Sequence, residues 1–374
     1  MRPAALPVLV LGAGAWGTAM AASLARAAPA EDSIRGPLHV TLWGRDADQI
    51  TRIAQQHENK KYLPGIALPN SMHCEADFAR ACQAWRAQSV AHRDQSSRSV
   101  NGLLHGLIIL ATPMSGIEAT AREIYRALGP AQSGEGLIWL AKGLKLTTRN
   151  DLTELQWPHE IIRAACPDWP AGALSGPSFA QEVASGLPVA LSLASNDMVW
   201  ARQAAQICHG ESMRVYPTDD LVGVELGGAM KNVLAIAAGI CDGMQLGANA
   251  RAALLTRGLA EMCRLGVAIG AKAETFIGLA TLGDLILTAT GDLSRNRRVG
   301  LALARGESLQ QALSSLGHVA EGVATAPAIF ALANRIGVEV PITQSVVQLL
   351  SGESSAKQAV QLLMARELKD EHGR

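Results

Sequence analysis

VLVLGAGAWGTAMAASLAR, residues Val8 to Arg26, sets an apolar run, three glycines and an alanine-rich segment in direct succession. Val8–Leu11 suits a short buried strand, and the residues from Ala15 on are helix formers. Between them Gly12, Gly14 and Gly17 match G-x-G-x-x-G. The match alone is weak, but its place between a strand and a helix gives it meaning. Gly12 permits a tight turn, Gly14 leaves room for a pyrophosphate beside the backbone, and Gly17 lets the helix approach the strand. The helix N-terminus adds N–H groups and the positive end of its dipole. The stretch predicts the first β-α unit of a dinucleotide-binding sheet. A glycine-rich turn without a ligand is the alternative.

The pattern continues outward. LHVTLWGR (Leu38–Arg45) reads as a second strand and DADQITRIAQQHEN (Asp46–Asn59) as a polar surface helix. LLHGLIILAT (Leu103–Thr112) reads as a buried strand followed by the helix SGIEATAREIYRALG, and GLIWLAKG (Gly136–Gly143) as another strand. GALSGPSF (Gly172–Phe179) and LPVALSLAS (Leu187–Ser195) keep the alternation going. Strands alternating with helices of this length imply a parallel sheet with crossover helices. From Asp219 the chain reads as helix after helix. The expected fold is an α/β, Rossmann-like, doubly wound N-terminal domain over residues 1–217 plus an all-α C-terminal domain over 218–374. Ala27–Pro37 and Ala87–Gly102 read as exposed inserted loops, and the charged end RELKDEHGR as a fraying tail.

Composition narrows the function. The chain has 374 residues, 48% hydrophobic and 18% charged, which is globular and long enough for two domains. Lys plus Arg and Asp plus Glu are 33 each, so no footprint for nucleic acid or an anionic membrane is expected. The six cysteines are scattered without metal-ligand spacing, as expected of reduced thiols in a cytoplasmic protein, and no metal is expected. The N-terminus lacks the features of a signal peptide, and no long uncharged apolar run predicts a membrane span or stable membrane association.

Three further clusters suggest chemistry. The second strand ends in Gly44-Arg45, where an NAD-specific site usually carries an acid. An arginine there pairs with a 2′-phosphate, so NADPH is the expected cofactor and NADH the alternative. Asp46 weakens that preference, and a solvated surface charge is the other reading of Arg45. GGAMKNVLAIAAGI (Gly227–Ile240) sets Lys231 among apolar residues, where a charge is rare unless paired or used. Gly227 and Gly228 suggest a close approach by a ligand or a facing domain, with Lys231 and Asn232 reaching into an interdomain cleft. A reductase needs a proton donor for the oxygen that becomes a hydroxyl, and a lysine whose pKa is lowered by burial or a neighbouring cation serves. Snorkelling of its stem is the bland alternative. Lys142, at a strand end, is a second candidate cation.

In LGDLILTATGDLSRNRRVG (Leu282–Gly300), Asp284 and Thr288 share a face if the segment is helical, and Asp284 would hold Lys231. A helix cap or a surface carboxylate is the alternative for Asp284. Arg295 and Asn296, in a predicted loop with Arg297 and Arg298, suit a phosphate, and a solvated basic turn is the alternative.

These motifs together resemble the bacterial NAD(P)-dependent glycerol-3-phosphate dehydrogenases. The resemblance runs in order through GAGAWGTA (Gly12–Ala19), LWGR, HENKKYLPGIALP (His57–Pro69), AKGL (Ala141–Leu144) and SGPSFAQEV (Ser175–Val183). It continues through ELGGAMKNVLAIAAGICDGMQLGANA (Glu225–Ala250), TLGDLILTATGDLSRNRRVG and VAEGVATA (Val319–Ala326). It implies reduction of dihydroxyacetone phosphate to sn-glycerol 3-phosphate, the backbone of phospholipids, with NADPH or NADH. It implies Lys231 as the proton donor and acceptor. Substrate contacts would come from Lys142, Gly176, Ser178, Asp284, Ser294, Arg295 and Asn296, with Asn232 and Thr288 near the chemistry. Gly12, Gly14, Ala15, Trp16, Gly17, Arg45, Tyr62, Lys142, Ala180, Arg295, Val319 and Glu321 would line the cofactor. Ala15 stands where many relatives carry Ser or Thr, which removes one side-chain hydrogen bond. The partner is thus a small phosphate-bearing substrate, and homodimer formation stays open. Two rivals remain at this stage: a two-domain β-hydroxyacid dehydrogenase, and a dinucleotide-binding sensor without turnover.

Overall fold

The apolar run ahead of the glycines is strand β1 (Leu6–Leu11), buried along its whole length. The structure is a computed structural model, and it describes residues 5–26, 36–96, 103–149, 152–316 and 320–365. The other strands are β2 (Leu38–Trp43), β3 (His73–Glu75), β4 (Gly106–Leu110), β5 (Glu135–Trp139), β6 (Lys145–Arg149), β7 (Leu152–Gln156), β8 (Ala171–Ser175), β9 (Val189–Ala194) and β10 (Met213–Thr218). Eight of them form one sheet in the order β10-β9-β8-β5-β4-β1-β2-β3. Its pairings are parallel except β8 with β9.

Helices α1 (Ala15–Arg26), α2 (Ala47–Gln56), α3 (Phe78–Ser96), α4 (Ile117–Leu128), α5 (Pro158–Ala165), α6 (Ala180–Ala184) and α7 (Met198–Cys208) lie between these strands in sequence. The chain leaves β1 for β2 and β3 on one side, then returns to β4 on the other. The carboxyl ends of β1 and β4 therefore mark a topological switch point, where open α/β sheets bind ligands.

The chain divides into two compact units. The first holds Met1–Lys142 and Gln156–Glu225, and the second holds Gly143–Leu155 and Leu226–Arg374. The second unit contains the pair β6–β7 and, beyond the shared helix α8 (Leu221–Gly243), helices α9 (Gly247–Ala268), α10 (Asp284–Thr290), α11 (Arg295–Ala304), α12 (Leu309–Leu316), α13 (Glu321–Ile336), α14 (Pro341–Leu350) and α15 (Ala356–Met364). The α/β first half and helical second half agree with the sequence pattern.

Three features depart from it. Residues 87–96, expected in a loop, complete α3. Ala81, Cys82, Trp85 and Ser89 recur at helical spacing and are buried, with Trp85 Nε1 donating to the Pro7 carbonyl at 3.2 Å. The stripe is short and ends in a serine, so its period is faint in sequence. Strand β3 has only three residues, and β6, KLTTR, lacks an apolar alternation. By length and hydropathy α8 and Ala273–Thr290 are able to cross a membrane. However, α8 is buried in protein, and the other stretch is split into a 3-10 turn, a π-helical turn and α10. Residues 27–35, 97–102 and 366–374, which hold most of the first insert, the end of the second and the charged tail, lie outside the described residues.

Candidate active site

The glycine loop has its steric reasons on view. Gly12 has φ +127°, and a Cβ there would stand 2.9 Å from the Ala111 carbonyl oxygen. A Cβ at Gly17 would run into the Gly12 carbonyl. At Gly14 a Cβ would meet nothing within 4 Å, so the backbone there borders open space. That combination fits a diphosphate lying against the loop at the start of α1. Ala15 and Trp16 open the helix and are half-buried.

Arg45 is exposed just past β2. A Cβ at Gly44 would stand 2.7 Å from the side chains of Ala13 and Ile50, so a carboxylate has no place at that position. Asp46 caps α2, its Oδ1 accepting the Gln49 N–H at 3.0 Å. Tyr62 sits in the turn after α2 and donates its N–H to the Asn59 carbonyl at 3.1 Å.

A second group in the first unit gathers at the ends of β5 and β8, with two donors converging on the Gly176 carbonyl. Lys142 Nζ reaches it at 3.2 Å and Ser178 Oγ at 2.9 Å. Gly176 has φ +150° and is hemmed in by Leu191 and the Ala190 carbonyl, which explains glycine there. Ala180 is the first residue of α6.

In the second unit Lys231 is buried on α8. Its Nζ donates to Asp284 Oδ1 at 2.6 Å and to Thr288 Oγ1 at 2.9 Å. Asp284 and Thr288 lie one turn apart on α10, with Thr288 Oγ1 3.3 Å from the same Oδ1. The Asp284 carboxylate therefore serves the lysine and is not the cap of α10, which is Gly283. Gly227 is glycine because Thr281, in the π-helical turn before α10, packs against it; a ligand or facing domain is not needed to account for it.

Asn296 Nδ2 donates to Asn232 Oδ1 at 2.9 Å, and its Oδ1 accepts the Gly322 N–H at 3.0 Å. This joins α8, α11 and the first turn of α13, where Glu321 sits. Arg295 and Asn296 form the first turn of α11 rather than a loop, and Ser294 is its cap, accepting the Arg297 N–H. The other two arginines are committed elsewhere: Arg297 pairs with Asp242 at 2.8 Å and Asp292 at 2.9 Å, and Arg298 donates to the Asp292 carbonyl. Arg295 is exposed. Val319 lies outside the described residues.

Sequence reasoning passed over Gln49 and Asn59. Both are buried, and both donate to the Ala13 carbonyl inside the glycine loop. Their only signal was polarity, Gln49 beside the apolar Ile50–Ile53 face of α2 and Asn59 within HENKKYLPG. Burial pushes the Cys74 thiol up to about 11 and, as the leading cause, those of Cys82 and Cys166 up to about 12, so these three stay protonated.

The chain is similar to known proteins over nearly its whole length. The family model described as NAD-dependent glycerol-3-phosphate dehydrogenase N-terminus matches residues 7–100 and 103–201, and that of the C-terminus matches 220–361. A glycerol-3-phosphate dehydrogenase [NAD(P)+] of Polaromonas naphthalenivorans is 49% identical over 98% of this chain and 99% of its own length. That of Paracidovorax citrulli is 50% identical over 96% and 97%. The crystal structure of glycerol-3-phosphate dehydrogenase from Coxiella burnetii superposes with a TM-score of 0.79 at 36% identity, covering 97% of this chain and all of that one.

Proposed function

Because the chain belongs to the NAD-dependent glycerol-3-phosphate dehydrogenase family, we propose that Lys231 is the proton donor when it reduces dihydroxyacetone phosphate to sn-glycerol 3-phosphate. The reaction is an NAD(P)-dependent reduction, as in its relatives. The bound nicotinamide supplies the hydride that reaches the carbonyl carbon. The second bond to hydrogen comes from Lys231 Nζ, which gives its proton to the carbonyl oxygen and becomes a neutral amine. In the reverse direction the amine takes the hydroxyl proton.

The observation that carries this reading is the lysine itself. It is the one ammonium in the buried middle of α8, and two acceptors on α10 fix its direction. Asp284 offsets the cost of burying that charge and holds Nζ where a substrate oxygen is to arrive. Arg295 and Asn296, in the first turn of α11, hold the phosphate, with the guanidinium supplying charge and the helix N-terminus its N–H groups. In the first unit Lys142 and Ser178 converge on the Gly176 carbonyl, a polar group that suits contact with a phosphate-bearing substrate. Phosphate binding orients the reacting carbon, so dihydroxyacetone without phosphate loses rate as well as affinity.

In the first unit the glycine loop, Trp16, Arg45, Tyr62 and Ala180 hold the dinucleotide. NADPH is preferred over NADH, on the strength of Arg45 and the exclusion of an acid at Gly44. The reaction belongs in the cytoplasm, a setting that suits six unpaired cysteines. The test is the loss of NADPH absorbance on adding dihydroxyacetone phosphate, with NADH run alongside. Rapid oxidation with both, faster at limiting NADPH, is the expected result. Binding of NADPH without oxidation would contradict the activity.

A further inference from the structure

The Ala13 carbonyl lies inside the glycine loop and accepts two side-chain hydrogen bonds. One comes from Gln49 Nε2 at 2.9 Å and one from Asn59 Nδ2 at 3.1 Å. The two amides are themselves linked, Gln49 Nε2 to Asn59 Oδ1 at 3.2 Å. Asn59 Nδ2 also donates to Thr18 Oγ1 at 2.8 Å, in the first turn of α1. Thr18 is fully buried and Asn59 is 1% exposed, so water does not compete for these bonds. The backbone of Asn59 is fixed as well: its carbonyl accepts the N–H groups of Tyr62 at 3.1 Å and Leu63 at 2.7 Å.

From this geometry we infer that Asn59 and Gln49 are positioning residues that aim the Gly14 N–H at the cofactor diphosphate. The inference rests on the cofactor reading given above. A trans peptide is planar, and its N–H points opposite to its C=O. The Ala13–Gly14 bond is trans, as are all peptide bonds among the described residues. Two donors drawing the Ala13 carbonyl into the protein therefore turn the Gly14 N–H the other way. Gly14 is also where the loop borders open space. Rotation of this peptide would break both bonds to Ala13 and leave one N–H of each buried amide without its acceptor. Asn59 further links the loop to the turn that carries Tyr62, so two parts of the dinucleotide site share one anchor. Neither amide touches the cofactor in this account; both act through the peptide they hold.

The isosteric Asn59→Asp variant tests this. It keeps the shape and replaces the donor with an acceptor that faces the Ala13 carbonyl. NADPH affinity, read by fluorescence titration, is expected to weaken about tenfold or more. The rise appears in KM for NADPH rather than in kcat at saturating cofactor. A merely structural role would lower the active fraction, and with it the apparent kcat, while leaving that KM alone. If Asn59→Asp does not fold, Gln49→Leu removes the second donor and is expected to raise the same KM. Wild-type NADPH affinity in a folded variant overturns the inference and leaves the cofactor reading standing. Failure of the wild-type protein to bind NADPH overturns both.

Discussion

Lys231 sits in α8 with apolar or small neighbours on nearly every side, and its two acceptors come from one face of α10. This was largely legible: an isolated lysine in an apolar run, and an Asp and a Thr four residues apart further on. What sequence could not supply was the pairing, because α8 and α10 meet only through tertiary packing. Asp284→Asn keeps the shape but removes the charge that compensates Nζ. Its kcat is predicted to fall about 100-fold with little change in NADPH affinity, measured by steady-state kinetics beside a binding titration. Arg45→Ala tests the cofactor preference. KM for NADPH should rise by about tenfold while that for NADH moves little, since only NADPH carries a 2′-phosphate. Asn59 and Gln49 were not legible. Each is an ordinary polar residue in its own segment, and their meaning arises only when both reach the Ala13 carbonyl.

Elements are positioned here by close approaches as much as by side chains. A Cβ at Gly300 of α11 would strike the Ile236 carbonyl of α8, and one at Gly239 of α8 would strike the Arg297 carbonyl. The two helices cross with backbone against backbone, which sets Asn296 beside Asn232. Gly300→Ala is predicted to destabilise by about 1–3 kcal/mol through overpacking, read as a lower urea midpoint. The glycines were visible in the sequence, but which pairs with which was not. Strands β1, β2, β4, β5, β8 and β9 were legible because apolar residues dominate them, and the helical second half because helix formers run through it. Residues 87–96 of α3 were missed because the helix is held mainly by Trp85 and the short stripe around it, with a polar remainder.

Over the whole molecule the chain passes between its two units three times, after Lys142, Leu155 and Glu225. Glu225 closes the last segment of the first unit, and it accepts from both the backbone N–H and the ring Nδ1 of His159 on α5. Burial works against a charge on either partner. For Glu225 it dominates and raises the carboxyl; for His159 the hydrogen bond and charge of Glu225 override it, and the imidazole is raised too. The pair therefore keeps a proton to higher pH than either group alone. The imidazole's contribution is fully present below the ordinary histidine value of about 6.5 and is lost as pH rises through its raised folded value. Thermal stability of the wild-type protein should fall across that range, and His159→Gln should flatten the fall.

Lys231→Met tests the proton-donor role of the lysine most directly. NADPH consumption with dihydroxyacetone phosphate is measured for the folded variant and the wild type, with NADPH affinity measured for both. The prediction is wild-type-like NADPH affinity with turnover reduced by about 1,000-fold or more, the scale of a lost general acid. Turnover near that of the wild type would contradict the assignment of Lys231 as the proton donor.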